Sequence, residues 1–144
     1  MKVDTLSLNE KKIQRCWYSF DASELVLGRL ASVVVYYLIG KHKVEYSDNF
    51  DVGDFIIIFN IDKLRITGGK YFSKVYFSHS GYPGSLSKIL YKKYYLKFPE
   101  KTFKKAVKGM LPKNKLTRIW LNKLFLYRGK IHPHDAQKSI FLNI

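Results

Sequence analysis

The side chains that could do chemistry in this sequence are few. Ser78-His79-Ser80 places hydroxyls beside an imidazole, as a nucleophile and its general base would require. No carboxylate is positioned to orient the imidazole and no oxyanion motif accompanies it, so acyl transfer is not expected. His132-Pro133-His134-Asp135 offers three metal-ligating side chains in four positions. Two histidines at i and i+2 around a proline suit an extended loop, and no cysteine or glutamate completes a zinc set. Cys16 is the only cysteine, which removes internal disulfides and thiolate clusters from consideration. Thr67-Gly68-Gly69-Lys70 could cradle a phosphate on backbone N–H groups, but it lacks the spacing of a nucleotide-hydrolysing loop. A hairpin turn able to touch a nucleic-acid phosphate is the expectation there.

Charge is the stronger signal. The 144 residues hold 26 Lys and Arg against 11 Asp and Glu, a formal net charge of +15. From Lys63 to Lys130 there are 18 basic residues and one acid, Glu100. A free protein carrying that field repels itself, so a polyanionic partner is expected rather than a merely solvated basic surface. A hydrophobic fraction of 47% and an aromatic fraction of 16% are too high for a disordered basic tail. No run approaches the roughly 18 apolar residues of a membrane span. The start of the chain, "MKVDTLSLNEKKIQRCW", has acids and no apolar h-region, so neither a signal nor a transit peptide is expected, and the protein reads as soluble and intracellular.

The elements that must carry this charge follow from periodicity. "CWYSFDA" (16–22) alternates as a strand, and "DFIIIFN" (54–60) is a short, continuously apolar run suited to a strand covered on both faces. "LGRLASVVVYYLIG" (27–40) sets Leu30, Val34, Tyr37 and Leu38 at helical spacing, with Gly40 as C-cap, although Val33-Val34-Val35 weakens the helix. "KVYFS" (74–78) reads as a further strand, and "GYPG" (81–84) as a type II turn. Pro99 and Glu100 suit a helix start. From there Phe103, Ala106, Val107, Met110 and Leu111 form one face, and Lys101, Lys104, Lys105 and Lys108 the opposite one, with Pro112 as the stop. "LTRIWLNKLFLYRG" (116–129) reads as a helix running into a strand-like end. Strands followed by helices point to one α/β sandwich with a parallel sheet.

"GKHKVEY" (40–46) places Lys41, His42 and Lys43 directly after a helix C-terminus, where they complement its dipole and can also meet phosphates, with Tyr46 beside them. The tyrosines interleaved with lysines between positions 71 and 95 are mostly core fillers. They lack the pattern of a base-stacking sheet surface.

The order of "DASELVLGRLAS", "GKHKVEY", "DVGDFIIIFN", "TGGK", "KVYFSHSGYPG", "AVKGMLPKN" and "LYRGKIHPHDAQ" resembles the ribosomal protein thirteen family of the large subunit, in its bacterial and organellar form. The resemblance covers roughly residues 15–140. It implies a three-layer α/β/α sandwich with a four-stranded, mainly parallel sheet and short N- and C-terminal extensions. Residues 1–14 would form the N-terminal extension, and 15–144 a single rRNA-binding domain. The implied role is non-enzymatic: binding large-subunit rRNA early in assembly, beside neighbouring ribosomal proteins, with its own messenger RNA as a further implied partner. The implied place is the cytoplasmic ribosome of a bacterium, or else a mitochondrial or plastid ribosome. No cofactor, metal, membrane or small-molecule substrate is expected.

Three stretches depart from the family pattern. Ser85 stands where a second glycine is usual, and Asn114-Lys115-Leu116-Thr117-Arg118 replaces Gly-Pro-Leu-Gly-Arg. "YSDNFDVGD" lacks the histidine usual before the aspartate. The expected RNA contacts are Lys41, His42, Lys43, Lys70, His79, Tyr82, Lys104, Lys108, Lys113, Arg118, His132 and His134. Trp17, Gly28, Phe55, Met110, Leu111 and Pro112 are the expected structural supports. The rival readings are a nuclease using His79 or the "HPH" loop with a metal, and a peripheral membrane binder using the basic helix. The modest apolar face of that helix, without tryptophan, argues for core packing over lipid.

Overall fold

β1 (Trp17–Asp21) and β2 (Phe55–Phe59) lie side by side and parallel, Trp17 opposite Phe55 and Phe20 opposite Ile58. The unbroken apolar run of β2 has the reason expected, since Ile56, Ile57 and Ile58 are all fully buried and both faces of the strand are covered. β5 (Leu124–Leu126) joins β2 and β6 (Ile140–Phe141) joins β1, giving a parallel sheet in the order β5-β2-β1-β6. The computed structural model describes residues 13–23 and 25–143, so the expected N-terminal extension lies outside the described residues apart from its last two positions.

One face of the sheet, carrying Phe20, Ile56 and Ile58, is covered by helices. α1 (Leu27–Ile39) sends Leu30, Ala31, Val34 and Leu38 into it. The valine run does not prevent the helix, because burying this face outweighs a few tenths of a kcal/mol of propensity per residue. Gly40 ends α1 at φ +86°, and its N–H and that of Lys41 donate to Tyr37 and Tyr36, a Schellman closure. α4 (Pro99–Met110) crosses α1 and buries Thr102, Phe103 and Val107. α5 (Leu116–Asn122) adds Trp120 and Leu121. The opposite face carries Trp17, Phe55 and Phe125, whose rings stack 4.5 and 5.5 Å from the Trp17 ring. His134, in the C-terminal segment, lies over Trp17 and Phe125 at 5.3 and 4.6 Å. The C-terminal residues, with a 3₁₀ turn at Asp135–Gln137, therefore supply the third layer on that side.

The connection between β2 and β5 departs from the sequence reading. "TGGK" is not a hairpin turn: Gly68, at φ +72°, turns the chain into the single-turn helix α2 (Lys70–Ser73). β3 (Val75–Ser78) does not join the main sheet but pairs antiparallel with β4 (Ser87–Leu90), a separate ribbon. Its tip holds the expected type II turn, with Pro83 at the second position, Gly84 at φ +76° and the Ser85 N–H donating to Tyr82 O over 3.2 Å. The ribbon leads into α3 (Tyr91–Lys97), which the sequence reading did not assign. Tyr95 anchors α3, its hydroxyl donating to Ile61 O at 3.0 Å.

Two expected supports lie elsewhere. Met110 is 46% exposed and approaches Ser32 of α1, while Leu111, extended ahead of Pro112, turns inward instead. A Cβ on Gly28 would meet nothing within 4 Å, so no close packing demands a glycine there.

Candidate nucleic-acid interface

Three regions carry the basic side chains, and each is set by a different piece of the fold. The first is a groove between α4, α5 and the turn at 111–115. Lys101, Lys104, Lys105, Lys108 and Lys113 line it with Tyr94, Asn114 and Thr117, around a volume of about 890 Å³. Among its described lining residues there is no acid. The helical period expected for 99–111 places Lys101, Lys104, Lys105 and Lys108 off the side of Phe103 and Val107, and the turn after Pro112 adds Lys113. Lys105 and Lys101 rest on aromatic faces, at 3.9 Å from the Tyr76 centroid and 4.3 Å from that of Phe98. Those contacts hold the long stems in place without neutralising the charge. Asn114 and Thr117 shape the turn: the Thr117 N–H donates to Asn114 Oδ1 at 3.1 Å and the Asn114 N–H donates back to Thr117 Oγ1 at 3.4 Å. This reciprocal cap starts α5 without the proline that the family pattern would place at Lys115. Arg118 is exposed on α5.

The second region is the ribbon. Its tip presents His79 and Tyr82, both exposed, Tyr82 at 76%. His79 Nδ1 accepts the Gly81 N–H at 2.9 Å, which fixes the loop. Phe77 is 59% exposed, and Leu86, Ile89 and Leu90 are exposed as well. Exposed Lys70 and Lys74 stand at its base.

The third region, Lys41-His42-Lys43, faces a different way from the expectation. Lys41 is exposed, but Lys43 Nζ donates to Asp54 Oδ1 at 2.5 Å and to Gln14 O and Val52 O at 2.7 and 3.0 Å. His42 Nε2 lies 2.8 Å from Asp54 Oδ2, in close electrostatic contact without a straight hydrogen bond. Asp54 is fully buried, and its Oδ1 also accepts the Cys16 N–H at 2.8 Å. One turn of chain away, Lys123 Nζ contacts Asp51 Oδ2 at 2.6 Å and Gly53 O at 2.8 Å. Burial pushes the Lys123 pKa down, while Asp51 favours the charged form. Lys43 thus balances charge inside the fold, and His42 is held against the same carboxylate. The acids of "DVGD", in a chain so poor in acid, were the signal that some cations would be drawn inward.

His132 and His134 are also half-buried. His134 Nε2 meets the Tyr127 hydroxyl at 2.8 Å, and His132 Nδ1 accepts the His134 N–H at 3.3 Å. Among the described residues no group of three or more His, Cys, Asp or Glu is placed to hold a metal ion. No helix among them is long and apolar enough to cross a membrane.

The groove therefore gathers Lys104, Lys108 and Lys113. Lys70, the ribbon tip and the 41–43 loop are separate. Lys101 and Lys105 belong with the groove and were legible from the same spacing as Lys104 and Lys108. Lys74 and Phe77 were missed, because strand periodicity does not say which strands leave the main sheet.

The family model described as ribosomal protein L13 matches residues 15–133. The chain belongs to the ribosomal protein L13 family. That family is structural and non-enzymatic. Among the relatives, large ribosomal subunit protein uL13 of Pelobacter propionicus is 52% identical over 138 residues, 96% of each chain. The proteins of the same name from Nitrosomonas eutropha and Azotobacter vinelandii are 46% and 44% identical over 142 residues. Those matches cover 99% of this chain and 99% and 100% of theirs.

Proposed function

We propose that the protein is a structural constituent of the large ribosomal subunit in the bacterial cytoplasm. There it binds large-subunit rRNA and supports early subunit assembly beside neighbouring ribosomal proteins. The observation that carries this reading is the α4–α5 groove, five lysines around a rigid, acid-free wall. Lysine ammonium groups act as point charges that neutralise phosphates wherever RNA strands approach, and they position the RNA without reading its sequence. Specificity then comes from the shape of the folded RNA.

The contacts we assign are Lys104, Lys108, Lys113 and Arg118 in and beside the groove, His79 and Tyr82 at the ribbon tip, and Lys41 and Lys70. Exposed Tyr82 and Phe77 give unpaired bases or a neighbouring protein an apolar face. His42, Lys43, His132 and His134 act one step back, by holding the loops that carry Lys41 and Lys130.

The test is the affinity of the full chain for transcribed large-subunit rRNA across a salt series. Lys104→Glu with Lys108→Glu should weaken binding and reduce the slope of log affinity against log salt by roughly two. Its melting temperature should stay that of the wild type. Equal affinity and slope in both proteins would remove the groove from the RNA surface.

A further inference from the structure

Between Lys63 and Lys130, the longest stretch without Lys, Arg, Asp or Glu runs from Val75 to Ser87, the strand β3 and the tip of its ribbon. Every residue from Phe77 to Leu90 is exposed except Ser85, which is half-buried. The base of the ribbon is fixed. The Tyr76 ring packs 5.8 and 5.3 Å from those of Tyr91 and Tyr94, and the Tyr91 N–H donates to Lys74 O at 2.8 Å. The most basic part of the chain thus sends out a projection whose end has no lysine, arginine or acid. An arm made to hold phosphates would carry cations, so this tip is built to meet another part of a partner.

Ser85 braces the tip. Its hydroxyl donates to Tyr82 O at 2.8 Å and accepts the Ser80 N–H at 3.3 Å, while its own N–H donates to the same Tyr82 O. The glycine usual there in the family pattern could make only the last of these bonds. Gly81 and Gly84, at φ +98° and +76°, supply the left-handed backbone on either side of Tyr82-Pro83. The tip therefore holds its shape without a partner and presents the Tyr82 ring to the outside. His79 is oriented by the same loop. Its Nδ1 accepts the Gly81 N–H at 2.9 Å, so the neutral ring carries its proton on Nε2. That Nε2–H has no acceptor among the described residues.

We propose that the ribbon tip reads an unpaired rRNA nucleotide. The base stacks on the Tyr82 ring, His79 Nε2–H donates to an acceptor on the same strand, and Ser85 is the residue that positions the ring. The proposal rests on the rRNA-binding reading above and adds a contact to a base, where the lysine groove meets phosphate. Unpaired bases in loops and bulges are where proteins read RNA by sequence, and every base has a face that can stack on an aromatic ring. A protein partner fits the tip less well. Beyond the last pair of the ribbon, Ser78 and Ser87, its apolar side chains are Tyr82, Pro83 and Leu86. These fall far short of the roughly 800 Å² that each side of a stable protein interface buries. The bracing by Ser85 lowers the cost of ordering the loop, which matters most where the contact is a single base.

The experiment measures the affinity of the full chain for transcribed large-subunit rRNA over a salt series and maps shielded bases with base-modifying probes. Tyr82→Ala should bind about tenfold more weakly with the salt slope of the wild type, because no phosphate contact is lost. It should also re-expose an unpaired base that the wild type shields, while the remaining protections stay. Tyr82→Phe keeps the ring and should behave like the wild type. Ser85→Ala should lose several-fold in affinity at an unchanged melting temperature, and Ser85→Thr, which keeps a hydroxyl, should restore it. His79→Asn can still accept the Gly81 N–H through its side-chain oxygen but has no atom at the Nε2 position, and should bind a few-fold more weakly. Undiminished affinity and base protection in Tyr82→Ala would overturn the proposal, as would Tyr82→Phe binding as weakly as Tyr82→Ala. Wild-type affinity in Ser85→Ala would remove its positioning role. Suppose Tyr82→Ala binds naked rRNA like the wild type but enters poorly into subunits reconstituted with the other ribosomal proteins. That result would assign the tip to a protein neighbour and overturn the RNA contact. Failure of the wild type to bind rRNA at all would instead contradict the proposed function.

Discussion

Gly53 and Leu38 touch so closely that a Cβ on Gly53 would lie 1.6 Å from the Leu38 carbonyl oxygen. The end of α1 is seated on the "DVGD" loop through this contact, and the same loop supplies the acids that hold Lys43, His42 and Lys123. Gly53→Ala should therefore cost about 3 kcal/mol or more, since backbone on both sides must shift; chemical denaturation measures it, and a wild-type midpoint would show the loop to be pliable. Lys123 is 6% exposed and pairs with Asp51. Removing it in Lys123→Ala takes away the nearest cation of the half-buried Asp51, leaving only Arg15 at 3.8 Å, and should cost about 3 kcal/mol in the same experiment. The linkage of Lys123 runs opposite to that of a stabilised cation. Burial lowers its pKa in the fold below the ordinary 10.5, so the unfolded chain binds the proton more tightly. Its contribution to stability rises as pH climbs through the interval between its folded value and 10.5. The sequence did not disclose this network, because nothing in the spacing of "GKHK", "DVGD" and Lys123 says that they converge across about eighty residues.

At the scale of elements, the strongly periodic pieces were legible and the weakly patterned ones were not. The two faces of α4, the continuous run of β2 and the glycine that ends α1 each follow from one local rule, and each stands where that rule puts it. β3 was recognised as a strand, but pairing is a tertiary property. Its exposed Phe77 gave no local sign that it leaves the sheet for a ribbon. α3 was missed because Tyr91, Tyr94 and Tyr95 favour strand over helix by local propensity, and the helix is held by the anchoring of Tyr95 on the 61–64 turn. Met110 shows the limit of helical periodicity: the pattern gives a face, not the point where that face runs off the core. Leu111 takes the buried place, so Leu111→Ala should destabilise by about 2–5 kcal/mol, whereas a thermal melt like the wild type's would mean that the turn before Pro112 repacks.

At the scale of the molecule, a net charge of +15 sits on a core of modest size, and two of its eleven acids, Asp51 and Asp54, bind cations inward. What remains outside is predominantly positive charge along α4 and the ribbon, with Glu100 the acid at the start of α4. Surfaces of this kind repel their own copies and bind a polyanion with a steep dependence on salt. The charge, and with it the class of partner, was plain from composition, while the arrangement of that charge into a groove needed the fold. The most direct measurement is sedimentation of the native protein from its own cells through a sucrose gradient. The account predicts that it travels with the large ribosomal subunit in low-salt buffer and leaves that peak only when high salt disrupts the particle. Recovery at the top of the gradient, free of RNA in low salt, would contradict it.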